Sequence, residues 1–363
     1  MPYEILEDFW ELMRSLLILN VLFDIASTLK ILIYSAPLGF SHMRFMGTIA
    51  DILHGAGHDV GVYEYEMIFK KHGLISNLRG RVFNKTNYLL SNTDEFLEYS
   101  WPSSSKLVHI GGIALPKATP LEEKFHLMMD RPGSEGVVLI AFGSNVSTVQ
   151  MPNNIRAAIL QAVSTFQNYT FIWKIDKDDK VPKMVNLFTP RWIPQASLLR
   201  HPNLRCFISH AGLNSVLELT RSGKPAILVP LLGDQYRNAK LVERRGSAIV
   251  LYTETFTSVK FIESVHSILE DDQYRRRAER LASLMNRKPF KMKERLLSTV
   301  EFSAMHGKVE ELDAYSYRMG VVQYFCLDVI LVAFSLVAVF FYAVTNCTWK
   351  FLKHTLNRKG KID

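Results

Sequence analysis

Ser209-His210-Ala211-Gly212-Leu213-Asn214-Ser215-Val216-Leu217-Glu218 is the segment on which the reading of this chain turns. The apolar run from Cys206 to Ser209 has the composition of a buried strand, a glycine turn follows, and Leu213 to Arg221 repeats its apolar residues at helical spacing. Strand, turn and helix in that order form one unit of a parallel α/β sheet. A helix N-terminus presents unpaired backbone N–H groups and the positive end of the helix dipole, so polar side chains gathered there favour an anion. An imidazole at His210 and an amide at Asn214 suit a diphosphate, and Glu218 one turn further can accept from hydroxyls. The plain alternative is an asparagine cap beside an incidental histidine.

Outward from this segment the alternation continues. Ala226 to Val229 is a further strand, ending at Pro230-Leu231-Leu232-Gly233-Asp234-Gln235, where a carboxylate beside an amide suits the hydroxyls of a sugar or simply caps a helix. Upstream, Val137 to Phe142 is a fully apolar strand ending at Gly143-Ser144, Ile155 to Phe166 a helix and Thr170 to Lys174 a strand. Gly143 would let a bulky anion approach the backbone, with the Ser144 hydroxyl as a donor. Trp192-Ile193-Pro194-Gln195 offers an indole face for stacking on a base and an amide for its edge. Nearer the start, Leu29 to Ser35, Met43 to Leu53 and Asp59 to Tyr63 read as strand, helix and strand, and a helix and strands are expected over 87–113. Pro116 to Pro120 with its charged sequel through Arg131-Pro132-Gly133 reads as an interdomain linker, and Phe261 to Val300 as charged helix.

The 363 residues, 48% apolar and 21% charged, exclude disordered and low-complexity classes. Three scattered cysteines, Cys206, Cys326 and Cys347, give no disulfide framework, zinc site or redox pair, so no metal or other cofactor is expected. A mean hydropathy of +0.05 traces largely to Val329 through Trp349, an uncharged run long enough to cross a bilayer. The tail beyond it holds Lys350, Lys353, Arg358, Lys359 and Lys361, which the positive-inside rule assigns to the cytosol. Lys359 and Lys361 stand where a dilysine retrieval signal places its lysines, although a basic juxtamembrane tail reads the same way. Leu16 to Phe23 has the length of a signal-peptide core, with translation starting at Met1 or, with a more ordinary basic flank, at Met13. Together these ends describe a type I protein of the endoplasmic reticulum membrane with its bulk in the lumen. The sequons at Asn84, Asn145 and Asn168 are compatible with a glycoprotein. The net charge of +8 is not clustered into a nucleic-acid surface.

Trp192-x-Pro-Gln195, His201-Pro202, Phe207-Ile208-Ser209-His210-x-Gly212-x-Asn214-Ser215-x-x-Glu218, Pro230-Leu231-x-Gly233-Asp234-Gln235 and Asn238-Ala239, contiguous and in order, resemble the signature of UDP-glycosyltransferases of the membrane-bound UDP-glucuronosyltransferase type. The resemblance runs from about Val108 to the tail. It implies the α/β GT-B architecture, two Rossmann-like domains facing across a cleft, with a C-terminal transmembrane helix. It also implies that Trp192 stacks on uracil and Gln195 bonds its edge, that Glu218 holds the ribose, that Ser144, His210, Gly212, Asn214 and Ser215 hold the diphosphate, and that Asp234 and Gln235 hold the transferred sugar. His42 resembles the family's catalytic base, removing the acceptor's hydroxyl proton in an inverting, metal-free transfer from UDP-glucuronate or UDP-glucose to a small lipophilic acceptor. A neutral imidazole suits that proton transfer near neutral pH.

The resemblance breaks in the first half. Segments are expected at 1–28 (signal peptide), 29–116 (a shortened N-terminal acceptor domain), 117–319 (the UDP-sugar domain), 320–349 (the membrane helix) and 350–363 (the cytosolic tail). The stretch absent after Tyr63 is where the family carries the aspartate that orients its histidine, and neither Asp51, Asp59 nor Asp94 is an evident substitute. Two functions therefore stand: a working transferase, or a short form that binds the UDP-sugar and oligomerises with full-length relatives, with homo-oligomers also open. A NAD-dependent dehydrogenase is set aside, because no G-x-G-x-x-G follows the first strand.

Overall fold

All six residues of the strand Gly136–Ala141 are buried, so both of its faces need cover. The computed structural model describes residues 28–35, 40–64, 86–100, 102–143, 146–313, 315 and 319–359. The expected signal peptide up to residue 27, Asn84, Asn145, Ser144 and residues 360–363 of the expected retrieval signal lie outside the described residues.

The first described part holds β1 (Lys30–Ser35), α1 (Phe40–His54) and β2 (Asp59–Glu64), with β1 and β2 parallel. β3 (Leu89–Ser91) and β4 (Leu107–His109) form a second parallel pair. Between them the described residues make a hydrogen-bonded turn at 94–98, and not the helix expected over 87–113. Asp94 explains the turn: its carbonyl accepts from the N–H of Leu97 and Glu98, and its carboxylate from that of Phe96. The expected linker is also corrected. Its second half forms α2 (Glu123–Met129), because Phe125 and Met129, one turn apart, are drawn into the core.

A six-stranded parallel sheet follows, built from β5 (Gly136–Ala141), β6 (Tyr169–Trp173), β7 (Leu187–Phe188), β8 (Leu204–Ser209), β9 (Ala226–Leu228) and β10 (Ala248–Val250) in the spatial order β10-β9-β8-β5-β6-β7. Val137, Leu139 and Ala141 of β5 face one core, and Val138 and Ile140 face the other. The first core is closed by α2, α4 (Gln195–Arg200), α5 (Leu213–Ser222), α6 (Gln235–Arg244) and α8 (Asp272–Asn286). The second is closed by α3 (Asn153–Thr165) and α7 (Ser258–Glu270). Because the chain runs outward from β5 through β6 to β7 and then returns to β8 on the other side, the order in which strands are added reverses between β5 and β8 while all strands stay parallel. That reversal opens a crevice beyond the strands' carboxyl ends.

α9 (Met292–His306) returns to the N-terminal strands, burying Leu296 against Ile33, Leu53 and Ile110. A buried ion-pair group adds to this attachment: Asp94 meets Lys288 Nζ at 2.9 Å and Arg221 at 3.4 Å, while Glu95 meets Lys288 and Arg295. Described residues 86–87 and 308–359 form a separate compact unit. It contains the short α10 (Val321–Tyr324) and α11 (Leu327–Lys359), whose stretch Leu327–Lys353 is long and apolar enough to cross a membrane.

Candidate functional site

The loops that leave β5 and β8 meet at the sheet's reversal point, and His210 lies between them. A Cβ on Gly143, after β5, would stand 2.7 Å from the His210 ring; one on Gly212 would stand 2.6 Å from its Nε2. Both glycines therefore make room for an imidazole, and the expectation that Gly143 clears space for a ligand is revised accordingly. Burial drives the His210 pKa down to about 4, with the nearby Lys174 ammonium acting in the same direction against the opposing Asp234 carboxylate. His210 is thus neutral at neutral pH. Its Nδ1 is buried with no hydrogen-bond partner among the described residues, while Nε2 is the ring nitrogen next to Gly212 at the start of α5.

Ala211 carries the chain from that ring into α5 at φ +64, a left-handed conformation that a residue with a Cβ rarely adopts. Asn238 on α6 holds this turn. Its amide donates to the Ala211 carbonyl at 3.2 Å and to the Asp234 carboxylate at 2.8 Å, joining two loops of the site. Gly212 caps α5 without a side-chain hydrogen bond, and its carbonyl takes the Val216 N–H. Asn214 and Ser215 fall in the first turn, half-buried.

Gln195, the first residue of α4, crosses to α5. Its Nε2 donates to Glu218 Oε2 at 2.7 Å and lies 3.3 Å from Ser215 Oγ. Burial raises the Glu218 pKa, while the Gln195 hydrogen bond and the Arg44 and Arg200 charges restrain the rise. Trp192, three residues earlier, is 62% exposed, its ring open for stacking. Asp234 is exposed at the start of α6. Gln235 is buried, and its carbonyl closes the 230–234 loop by accepting from the N–H of Leu231 at 2.8 Å and Leu232 at 3.1 Å.

Lys174 was not singled out from the sequence. It directly follows β6, with its Nζ donating to the Gly143 carbonyl at 2.9 Å, which places a cation beside His210. A lysine closing an otherwise buried apolar strand was the available signal. Asn238, part of the quoted signature, stands one helical turn after Asp234, the spacing that lets the two side chains meet. His42 lies in the first turn of α1, and its side chain is outside the described residues. The Asp94 carboxylate is engaged by Arg221 and Lys288.

Residues 64–362 match the family model described as UDP-glucoronosyl and UDP-glucosyl transferase. The chain belongs to the UDP-glycosyltransferase family. The chain is 34% identical over 266 residues to the putative UDP-glucuronosyltransferase ugt-48 of Caenorhabditis elegans, a match covering 70% of this chain and 50% of that protein. It spans about half the length of the curated relatives it matches. Its fold is GT-B. The spinosyn forosaminyltransferase SpnP superposes with a TM-score of 0.58 at 13% identity, covering 76% of this chain and 100% of that one. Os79 from O. sativa, solved in complex with UDP, superposes with a TM-score of 0.50 at 19% identity, covering 61% and 56%.

Proposed function

We propose that this UDP-glycosyltransferase binds a UDP-sugar beyond the carboxyl ends of β5 and β8 and transfers its hexosyl group, glucuronosyl or glucosyl, to the hydroxyl of a small lipophilic acceptor. The observation that carries the reading is the Gln195–Glu218 bond between α4 and α5, on the same helix whose N-terminus follows the half-buried, neutral His210. In this arrangement Trp192 stacks on uracil, and Gln195 bonds the base edge while keeping Glu218 oriented toward the ribose hydroxyls. The diphosphate lies against His210, Ser144, the N–H groups of Gly212 and the first turn of α5, and Asn214 and Ser215. Lys174 offsets the charge that develops on departing UDP. Asp234 accepts from the sugar hydroxyls and Gln235 donates to them.

His42 takes the acceptor's hydroxyl proton as the oxygen attacks the anomeric carbon opposite the departing diphosphate; one C–O bond forms, the bond to UDP breaks, and the anomeric configuration inverts. No metal is assigned to this step. α11 spans the membrane of the endoplasmic reticulum, with the folded bulk lumenal and the basic tail cytosolic. Signal cleavage near residue 28 and glycosylation at Asn168 belong to the same topology.

One observation favours a second reading. The Asp94 carboxylate is engaged by two cations, Arg221 and Lys288, and a transferase short of an acid to orient its base is what a short form that binds UDP-sugar without efficient turnover and joins full-length relatives would be. UDP release by the detergent-solubilised chain, given UDP-glucuronate or UDP-glucose with a panel of phenols, separates the two. Turnover abolished in His42→Ala and His210→Ala establishes the transferase; bound UDP without turnover selects the short binding form. Absence of UDP binding refutes both.

A further inference from the structure

At the opposite, amino-terminal end of β8, two imidazoles and a carboxylate converge. His126 lies on α2, Asp130 caps that helix one turn later, and His201 caps α4 just before β8. Their ligand atoms all lie within 4.8 Å of one another. Asp130 Oδ2 faces both rings, at 3.6 Å from His126 Nδ1 and 3.7 Å from His201 Nε2. The other carboxylate oxygen is already occupied, accepting from the Asn203 amide at 2.7 Å, and that amide also holds the Met129 carbonyl at 3.2 Å. The carboxylate is thereby oriented by a second residue, as the ligands of metal centres commonly are.

We infer that His126, Asp130 and His201 form a binding site for a divalent transition metal, with Zn2+ the best match, that fastens α2 to the turn between α4 and β8. The distances carry the choice. At 3.6 and 3.7 Å the imidazole–carboxylate pairs exceed hydrogen-bond length. They sit close to the donor–donor spacing of about 3.3 Å that ligands ~2.0–2.1 Å from a tetrahedral zinc must have. Two imidazoles and one carboxylate are a ligand set that zinc accepts, and water completes the shell because His126 and Asp130 are exposed on their outer side. At present His201 Nδ1 accepts from the Asn203 N–H at 3.3 Å. Loading shifts the His201 proton from Nε2 to Nδ1 and gives up that long contact. The site is separated from the donor crevice by the length of β8, so its role is structural: it anchors the helix that links the two halves of the chain.

The test uses the full chain in detergent, without a histidine tag and stripped of metal by a chelator. Co2+ is titrated while its visible absorption is followed. Expected is an intense four- or five-coordinate band that saturates at one ion per chain, is abolished by Zn2+, and is missing from His126→Ala and Asp130→Asn. Zn2+ raises the Tm of the wild-type chain but not of these variants. His126 is half-exposed, and circular dichroism verifies that both variants fold. A weak octahedral spectrum alone, or unchanged saturation in His126→Ala, overturns the assignment.

Discussion

Gln195 Nε2 lies 2.7 Å from Glu218 Oε2, joining the start of α4 to the first turns of α5. The bond means that the groups assigned to the base and to the ribose are one mechanical unit. A half-buried carboxylate needs that donor, since burial alone raises its pKa.

Gln195→Ala and Glu218→Ala are each expected to weaken UDP binding about 10- to 100-fold, as loss of a hydrogen bond involving a charged group implies. Titration calorimetry with UDP should show the double variant to be weakened by clearly less than the product of the single effects, because each substitution also disturbs the partner. Fully multiplicative effects would show that the bond does not couple the two subsites.

Gly212→Ala introduces a Cβ 2.6 Å from the His210 ring at an ordinary backbone conformation, φ −60. It should lower stability by about 1–3 kcal/mol, as overpacking does. In a His210→Ala background the same change should lower the Tm little. An equal loss in both backgrounds would show that the glycine answers to something other than the imidazole.

The pH dependence of stability should carry a His210 component. Folding holds this group at about 4, below the ~6.5 of an exposed imidazole. Between those values the unfolded chain binds a proton that the folded chain does not. Stability from this group is therefore fully present above about pH 6.5 and falls as the pH drops toward 4, by on the order of 3 kcal/mol. Urea unfolding of the wild type and His210→Ala across pH 4–7.5 isolates the component as a difference curve; parallel profiles would refute it.

Asp94→Asn leaves Lys288 and Arg221 without the charge they share in a buried setting. A loss of about 3–5 kcal/mol is expected, measured as a lower urea midpoint. UDP affinity should be unchanged in the folded protein, because Arg221 lies at the end of α5 away from Gly212. A weakened affinity would show that the ion-pair group reaches the donor site.

Trp192→Ala should reduce UDP affinity about 10-fold, in the range of base–aromatic stacking, and leave the Tm almost unaltered because the ring is 62% exposed. Loss of stability instead would assign the indole a packing role.

The sequence by itself determined the parallel α/β class, the strands flanking each candidate loop and the order of the candidate site residues. Those features are written locally: apolar runs such as 137–142 must be buried on both faces, and a glycine turn before a periodic helix allows few other shapes. Tertiary structure alone decided which loops meet. It placed His210 between two glycines from the loops after β5 and β8, tied Gln195 to Glu218 and gave Lys174 a place beside Gly143 and His210. It also turned half of an expected linker into α2, since Phe125 and Met129 find their core only when distant strands assemble beneath them. Asp94 shows the same limit from the other side. Nothing adjacent in the chain reveals that Arg221 and Lys288, 127 and 194 residues away by their numbering, compete for its charge. Periodicity and turn chemistry report on neighbours a few residues apart, whereas burial and charge pairing depend on which surfaces the finished fold presses together.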